Sequence, residues 1–260
     1  MKLAVALLPV AAAFVGPVAA PAGTRLSETK ADLEALARDL NPTVGFYDPL
    51  GLSAQNFWGR GEAETIAWLR HAEIKHGRVA MAAFSGYVVQ ANGFHWPWAM
   101  TMAGRSFDVA GSPPEQWDAI PLNAKLQIVA FVGFLEFYSE IAGTHYMKGG
   151  VPGKYPSFAE TGFDGVLPVD LYDPAGLWGD MSAGKSKRGL AVEINNGRAA
   201  MLGIFGLISA SKGLIVPGLD GLGLAQSSAQ PMAFFGPGDV WPGVQGMWEG
   251  VSSTGWLTGA

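Results

Sequence analysis

The sequence predicts an all-α membrane protein of three transmembrane helices, the first and third crossed and related by a pseudo-two-fold axis along the membrane normal. Three observations predict it. Of 260 residues, 49% are hydrophobic and only 15% charged, well under the roughly 25% of soluble domains. Three helical stretches, about 62–91, 122–142 and 185–214, each reach the roughly 20 residues a bilayer core demands. The first and third repeat one another, charges included. Composition also narrows function. A net charge of −5 leaves no basic excess for phosphates, which excludes nucleic acid as a partner. The chain has no cysteine, so disulfides, thiolate zinc, iron–sulfur clusters and cysteine catalysis are excluded. Its 36 glycines and 9 tryptophans suit close-packed membrane helices with aromatic belts.

In chain order, residues 1–27 read as targeting sequence. Lys2 precedes a short apolar run that ends in the small residues Ala11 to Ala13, a secretory-type signal with a cut before Phe14. Pro9, Gly16 and Pro17 interrupt the run, which argues against a span. From Phe14 to Ser27 acids are absent while Thr24, Arg25 and Ser27 are present, the chemistry of a transit segment. Residues 28–61 form an N-terminal segment and loop. Within it, Glu28 to Asp39 alternates acid, base and Leu/Ala as a short surface helix, which Asn41-Pro42 stops. Phe46 to Leu52 is a turn-rich loop. The core unit is 62–217. A loop holding Trp96, Pro97, Trp98, Pro113 and Pro114 joins the first and second stretches, and a Gly/Pro-rich loop, about 149–180, joins the second and third. Trp58 and Trp68 near one end of the first stretch, and Trp96 and Trp98 near the other, suit two interfacial belts. Residues 218–260 are a Gly/Pro/Trp-rich tail, expected on the membrane surface.

Glu73-Ile-Lys-His-Gly-Arg78-Val-Ala-Met81 aligns with Glu193-Ile-Asn-Asn-Gly-Arg198-Ala-Ala-Met201. Upstream, Tyr47-Asp48-Pro49-x-Gly51-Leu52 aligns with Tyr172-Asp173-Pro174-x-Gly176-Leu177. One span separates the repeats, so both repeat helices cross in the same direction, and parallel repeats imply a two-fold along the membrane normal. A charge in mid-membrane costs roughly 2.5–3.5 kcal/mol. Within one helix Glu73 and Arg78 are about 140° apart around the axis and cannot pair well. The two-fold offers a swap, with Arg198 reaching Glu73 and Arg78 reaching Glu193 about a neutral centre. Gly77, Gly197, Ala80 and Ala200 let the backbones approach. A soluble bundle with solvated polar faces is the alternative.

A carboxylate held by arginine on one face keeps free lone pairs. Glu73 and His76, and likewise Glu193 and Asn196, are at i and i+3 on one face. A di-iron carboxylate enzyme would use Glu-x-x-His twice with two further acids, for which Glu136 and Glu140 are available. The second repeat has Asn196 instead of histidine, and the arginines compete with a dication. A zincin is excluded, because His71-Ala-Glu73-Ile-Lys-His76 lacks the His-Glu-x-x-His order. A magnesium already held in a macrocycle needs one axial donor, which a Glu–Arg pair, His, Asn or Gln each supplies. Gln127 and Glu136 point to opposite sides of the second helix, so each can hold a separate flat pigment. Interfacial capping or interhelical hydrogen bonding is the other reading of Gln127 and Glu140.

At these residues the chain resembles the chlorophyll a/c-binding light-harvesting proteins of red-lineage plastids, the fucoxanthin–chlorophyll protein family, over about residues 41–217. The resemblance implies chlorophyll axial ligands at Glu73, His76, Gln127, Glu136, Glu193 and Asn196, with Arg78 and Arg198 completing intramembrane ion pairs. It implies chlorophyll a, chlorophyll c and carotenoids of fucoxanthin or diadinoxanthin type. The carotenoid ends would lie near the loops Tyr47, Asp48, Pro49 and Tyr172, Asp173, Pro174. Many members carry a glutamine fourteen residues after the third-helix asparagine, and here that position is Ala210. The repeat-related Gln90 of the first helix either supplies a ligand that the third helix lacks or caps a helix end. His95 and His145 are solvated loop residues or pigment contacts. The implied function is a non-enzymatic antenna that passes excitation to a photosystem, with a photoprotective member of the same family as the alternative. A di-iron membrane oxidase and an ion-coupled transporter are readings from other classes. The expected partners are a photosystem core, other antenna subunits and thylakoid lipid. The signal-plus-transit segment resembles the bipartite address of secondary plastids, with the N-terminal segment on the stromal side of the thylakoid.

Overall fold

A computed structural model describes residues 29–100, 102, 104, 106, 111–156, 158, 183–213, 216–219 and 221–224. Among them regular structure is helical, without strands: α1 Lys30–Leu40, α2 Glu62–Ala91, α3 Pro113–Asp118, α4 Leu122–Ile141 and α5 Ala183–Ser211. The targeting segment, the Tyr172-Asp173-Pro174 turn and most of the tail lie outside the described residues.

Thr29 and Asp32 start α1 with a reciprocal cap. The Asp32 N–H donates to Thr29 Oγ1 at 3.3 Å, and the Thr29 N–H donates to Asp32 Oδ2 at 2.9 Å. Asn41 ends α1, its Oδ1 accepting from the N–H groups of Thr43 and Val44. The helix is not merely a surface element. Leu40 packs with Ile74 and Ile194 in a buried cluster that Leu36 and Ala191 flank, so α1 closes over both repeat helices through their equivalent isoleucines.

Asp48 organises the next turn. Its carboxylate accepts from the Leu52 and Ser53 N–H groups at 2.9 Å each and from Ser53 Oγ at 2.7 Å, around Gly51 at φ +62°. The Ser53 hydroxyl holds the Asp48 carboxyl below the usual carboxylate range.

Where a loop is expected between the first two long helices, α3 intervenes. Ser112 and Glu115 form a capping box, and prolines occupy its opening positions, where their missing N–H groups cost nothing. α5 ends at Ser211, short of the expected 214. Gly213 takes φ +80° and donates to the Ala210 carbonyl at 2.9 Å, turning the chain out of the helix.

Leu122–Lys148 is, among the described residues, the one stretch long and apolar enough to cross a membrane by length and composition. α2 has 30 residues and α5 has 29, about 45 and 43 Å at 1.5 Å per residue. The charges of the repeat lower their hydropathy, not their reach.

α2 packs most extensively against α5. Their backbones touch at the repeat-equivalent glycines, where a Cβ built on Gly197 would lie 2.9 Å from Gly77 Cα. α4 is not extensively packed on either helix and leaves Phe131, Val132, Phe134 and Phe137 exposed. It is held at one end by the segment after it. Tyr155 Oη donates to the Leu135 carbonyl at 3.0 Å, and Phe158 stacks on the buried Tyr138 with ring centroids 4.7 Å apart. Burial pushes the Tyr155 phenol up to about 12. Trp58 meets Trp68 edge-on at 5.7 Å, and Trp96 stacks on Trp98 at 4.9 Å.

Candidate functional site

The α2–α5 contact carries the charges. Arg198 donates to Glu73 Oε1 from Nη2 at 2.7 Å and from Nε at 2.8 Å. Arg78 Nε donates to Glu193 Oε1 at 2.5 Å, and its Nη1 donates to the Gly153 carbonyl at 2.6 Å. Each arginine thus reaches the acid of the opposite helix, the exchange a two-fold requires, with Gly77 and Gly197 between them.

The centre also holds a third guanidinium, which the two-fold does not supply. Arg70, 4% exposed, donates from Nη1 to Glu73 Oε2 at 2.7 Å. Three guanidiniums therefore surround two carboxylates, and Leu190 stands at the repeat position of Arg70. The signal was present in the sequence, since Arg70 and Glu73 are at i and i+3. It was hidden because the two-fold directs attention to what the repeats share.

Gly153 is a second element that sequence reasoning missed. Its carbonyl takes Arg78, and its N–H donates to His71 Nδ1 at 3.1 Å. At φ +79°, a Cβ there would come within 2.8 Å of the Ile74 side chain. His71, outside the expected ligand set, is buried and stacks on Tyr146 at 3.9 Å between ring centroids.

The expected donors are distributed over α2, α4 and α5. His76 is exposed, and its Nδ1–H donates to the Ala72 carbonyl at 2.7 Å, which leaves the Nε2 lone pair directed away from the backbone. Asn196, Gln127 and Glu136 are exposed as well. Glu136 is joined to Lys75 at 2.6 Å. Glu140 accepts from His145 Nε2 at 2.7 Å, so it belongs to a polar network at the end of α4. Gln90 is exposed, and its carbonyl accepts from Gln116 Nε2 at 3.1 Å. It lines a cavity of about 210 Å³ together with Trp117 and Met100. Ala210 is half-buried. Tyr47 is exposed beside the Asp48 cap.

A family model for chlorophyll A-B binding protein matches residues 32–212. The chain belongs to the chlorophyll A-B binding protein family. Named relatives agree. A chloroplastic fucoxanthin-chlorophyll a-c binding protein of Trieres chinensis is 39% identical over 220 residues, covering 80% of this chain and 93% of that one. Fucoxanthin-chlorophyll a-c binding protein F of Phaeodactylum tricornutum is 35% identical over 214 residues, covering 82% and 96%. Protein F of Macrocystis pyrifera is 32% identical over 165 residues, covering 64% and 68%. The family is one of membrane proteins, and its match runs from α1 to just past α5.

The exposed donors of this chlorophyll A-B binding family member fit a macrocycle. A flat, largely apolar ring needs one donor and an apolar surface next to it. Four of the exposed donors have an exposed apolar side chain three or four positions away in the same helix, and so on the same face. His76 has Val79, Asn196 has Val192, Gln127 has Phe131 and Glu136 has Val132. Glu73 and Glu193 keep lone pairs beyond those their arginines take. A bare ion is served differently. Among the described residues no three His or carboxylate side chains converge as a metal site, which counts against the di-iron arrangement. The acids such a centre would need are turned instead toward arginines, lysine and histidine.

Proposed function

We propose that the chain is a light-harvesting antenna of the plastid thylakoid membrane that binds chlorophylls a and c together with carotenoids of fucoxanthin or diadinoxanthin type. The observation that carries this reading is the reciprocal Arg–Glu centre, together with the exposed donors His76, Asn196, Gln127 and Glu136, each beside exposed apolar surface. In this reading α2, α4 and α5 cross the membrane, α2 and α5 crossed about the normal. Glu73, His76, Gln127, Glu136, Glu193 and Asn196 each offer one axial donor to a chlorophyll magnesium, and Gln90, the repeat equivalent of Ala210, is a further candidate.

Light absorption and excitation transfer are the chemistry that bound pigments supply. The chain contributes position. Gly77 and Gly197 set the helix separation, the ion pairs fix the rotation of each helix, and the fixed Nδ1–H of His76 orients its ring. The turns at Tyr47, Asp48, Pro49 and at Tyr172, Asp173, Pro174 would receive carotenoid ends. The chain would serve a photosystem core alongside other antenna subunits and thylakoid lipid, after import on its signal and transit segments.

The test is spectroscopic. The purified protein should absorb in the chlorophyll a, chlorophyll c and carotenoid bands, and light absorbed by the carotenoid should reappear as chlorophyll a fluorescence. A strongly shortened fluorescence lifetime would assign the photoprotective role. A colourless polypeptide would overturn the proposal.

A further inference from the structure

Lys75 carries a charge that the crossed centre does not use. Glu73 and Glu193 are met by Arg70, Arg198 and Arg78. The repeat position of Lys75 is the uncharged Asn195, whose amide donates to the Leu40 carbonyl at 3.3 Å. The two-fold therefore does not call for a cation at 75.

The Lys75 ammonium leaves its own helix. Nζ donates to Glu136 Oε2 at 2.6 Å and to Ser139 Oγ at 3.2 Å, and lies 3.7 Å from Glu140 Oε1. These three acceptors occupy i, i+3 and i+4 on one face of α4, and an ammonium has three donors. The α4 backbone stands off from α2, so a four-carbon stem bridges the interval. Glu140 also has His145 at 2.7 Å. Glu136 has Lys75 as its cation.

We infer that Lys75 is a positioning residue for the Glu136 pigment, balancing the Glu136 charge from a neighbouring helix so that the ion pair as a whole is neutral while the carboxylate serves as the axial donor. The inference rests on the reading of Glu136 as a ligand. Without a cation, a carboxylate facing apolar surroundings is an uncompensated charge and turns away from them. With Oε2 held by the ammonium, Oε1 stays anionic in character and available to a metal. The duplicated centre solves this problem with arginine from the crossed partner. α4 has no such partner and borrows lysine from α2.

The full-length chain is refolded with chlorophylls a and c and carotenoid, and chlorophyll per chain is measured by pigment chromatography beside far-ultraviolet circular dichroism. Lys75→Met should lose about one chlorophyll per chain, one donor serving one magnesium, with helix content kept. Lys75→Arg should retain it. Lys75→Met combined with Glu136→Gln should also retain it, because an amide donor needs no counter-charge. If Lys75→Met fails to fold, recovery in the double variant supports the inference, and failure of both overturns it in favour of bracing alone. A full complement in Lys75→Met while Glu136→Leu loses one chlorophyll overturns the inference and leaves the ligand reading intact. A full complement in Glu136→Leu overturns the ligand reading, and the inference with it.

Discussion

Glu73 and Glu193 occupy equivalent places, yet they are not equivalent sites. Glu73 is held by Arg198 on one oxygen and Arg70 on the other, whereas Glu193 is held by Arg78 on one. Both pairs are half-exposed on the chain itself, so in the lipid of the antenna reading removal of one partner strands the other charge out of water. Arg78→Leu strands Glu193 and also frees the Gly153 carbonyl. Arg198→Leu leaves Glu73 with Arg70. The pigment-loaded Arg78→Leu variant should therefore melt at the lower temperature of the two, measured by loss of visible circular dichroism. Equal melting would show that Arg70 carries none of the Glu73 charge. His76 is the opposite case. It is exposed and bonds only the carbonyl one turn back in its own helix, so His76→Leu should lose about one chlorophyll per chain with unchanged far-ultraviolet dichroism. Pigment analysis that finds no loss would remove His76 from the ligand set.

Between α2 and α5, the glycine contact is as decisive as the charges. The two backbones approach so closely at Gly77 and Gly197 that a methyl group has no room. Gly197→Val should force the helices apart and lengthen both swapped ion pairs, destabilising the pigment-loaded protein by about 1–3 kcal/mol or more. Thermal melts check this, and a wild-type midpoint would count against backbone contact. The α4 segment adds a pH dependence. Tyr155, its phenol raised to about 12, favours the neutral form in the fold. Its contribution is complete below the ordinary tyrosine value of 10.0 and fades as pH rises from there towards 12. In Tyr155→Phe that alkaline loss should disappear, as ultraviolet difference titration alongside a melt would report. The long helices themselves were legible in the sequence, because apolar runs bounded by turn residues need no partner to be recognised. α3 was not, because its signal is a cap and two prolines over six residues, too short for any periodicity.

For the whole molecule, the described helices leave much apolar surface uncovered, including Val79, Val192, Phe131, Phe205 and Leu202. α4 has little direct packing to hold it. In the antenna reading this surface is covered by pigment and lipid, so pigment is part of the core. Extracting the pigments from the refolded protein in detergent should abolish its cooperative melt and much of its helical dichroism. A pigment-free chain that melts cooperatively at the holoprotein temperature would show that the helices pack on each other alone.

The sequence by itself determined the long helices and the swap of acid and guanidinium between repeats. These follow from periodicity, from duplication and from the cost of an unpaired charge in lipid, each of which acts along one chain or between copies of one motif. Only the tertiary structure decided that Gly153 locks a loop onto His71 and Arg78, and that Lys75 answers Glu136. Those contacts break the repeat symmetry or join segments distant in the chain. Where an Arg or Lys side chain goes depends on which acid the fold brings within its reach, and no spacing along the sequence encodes that distance.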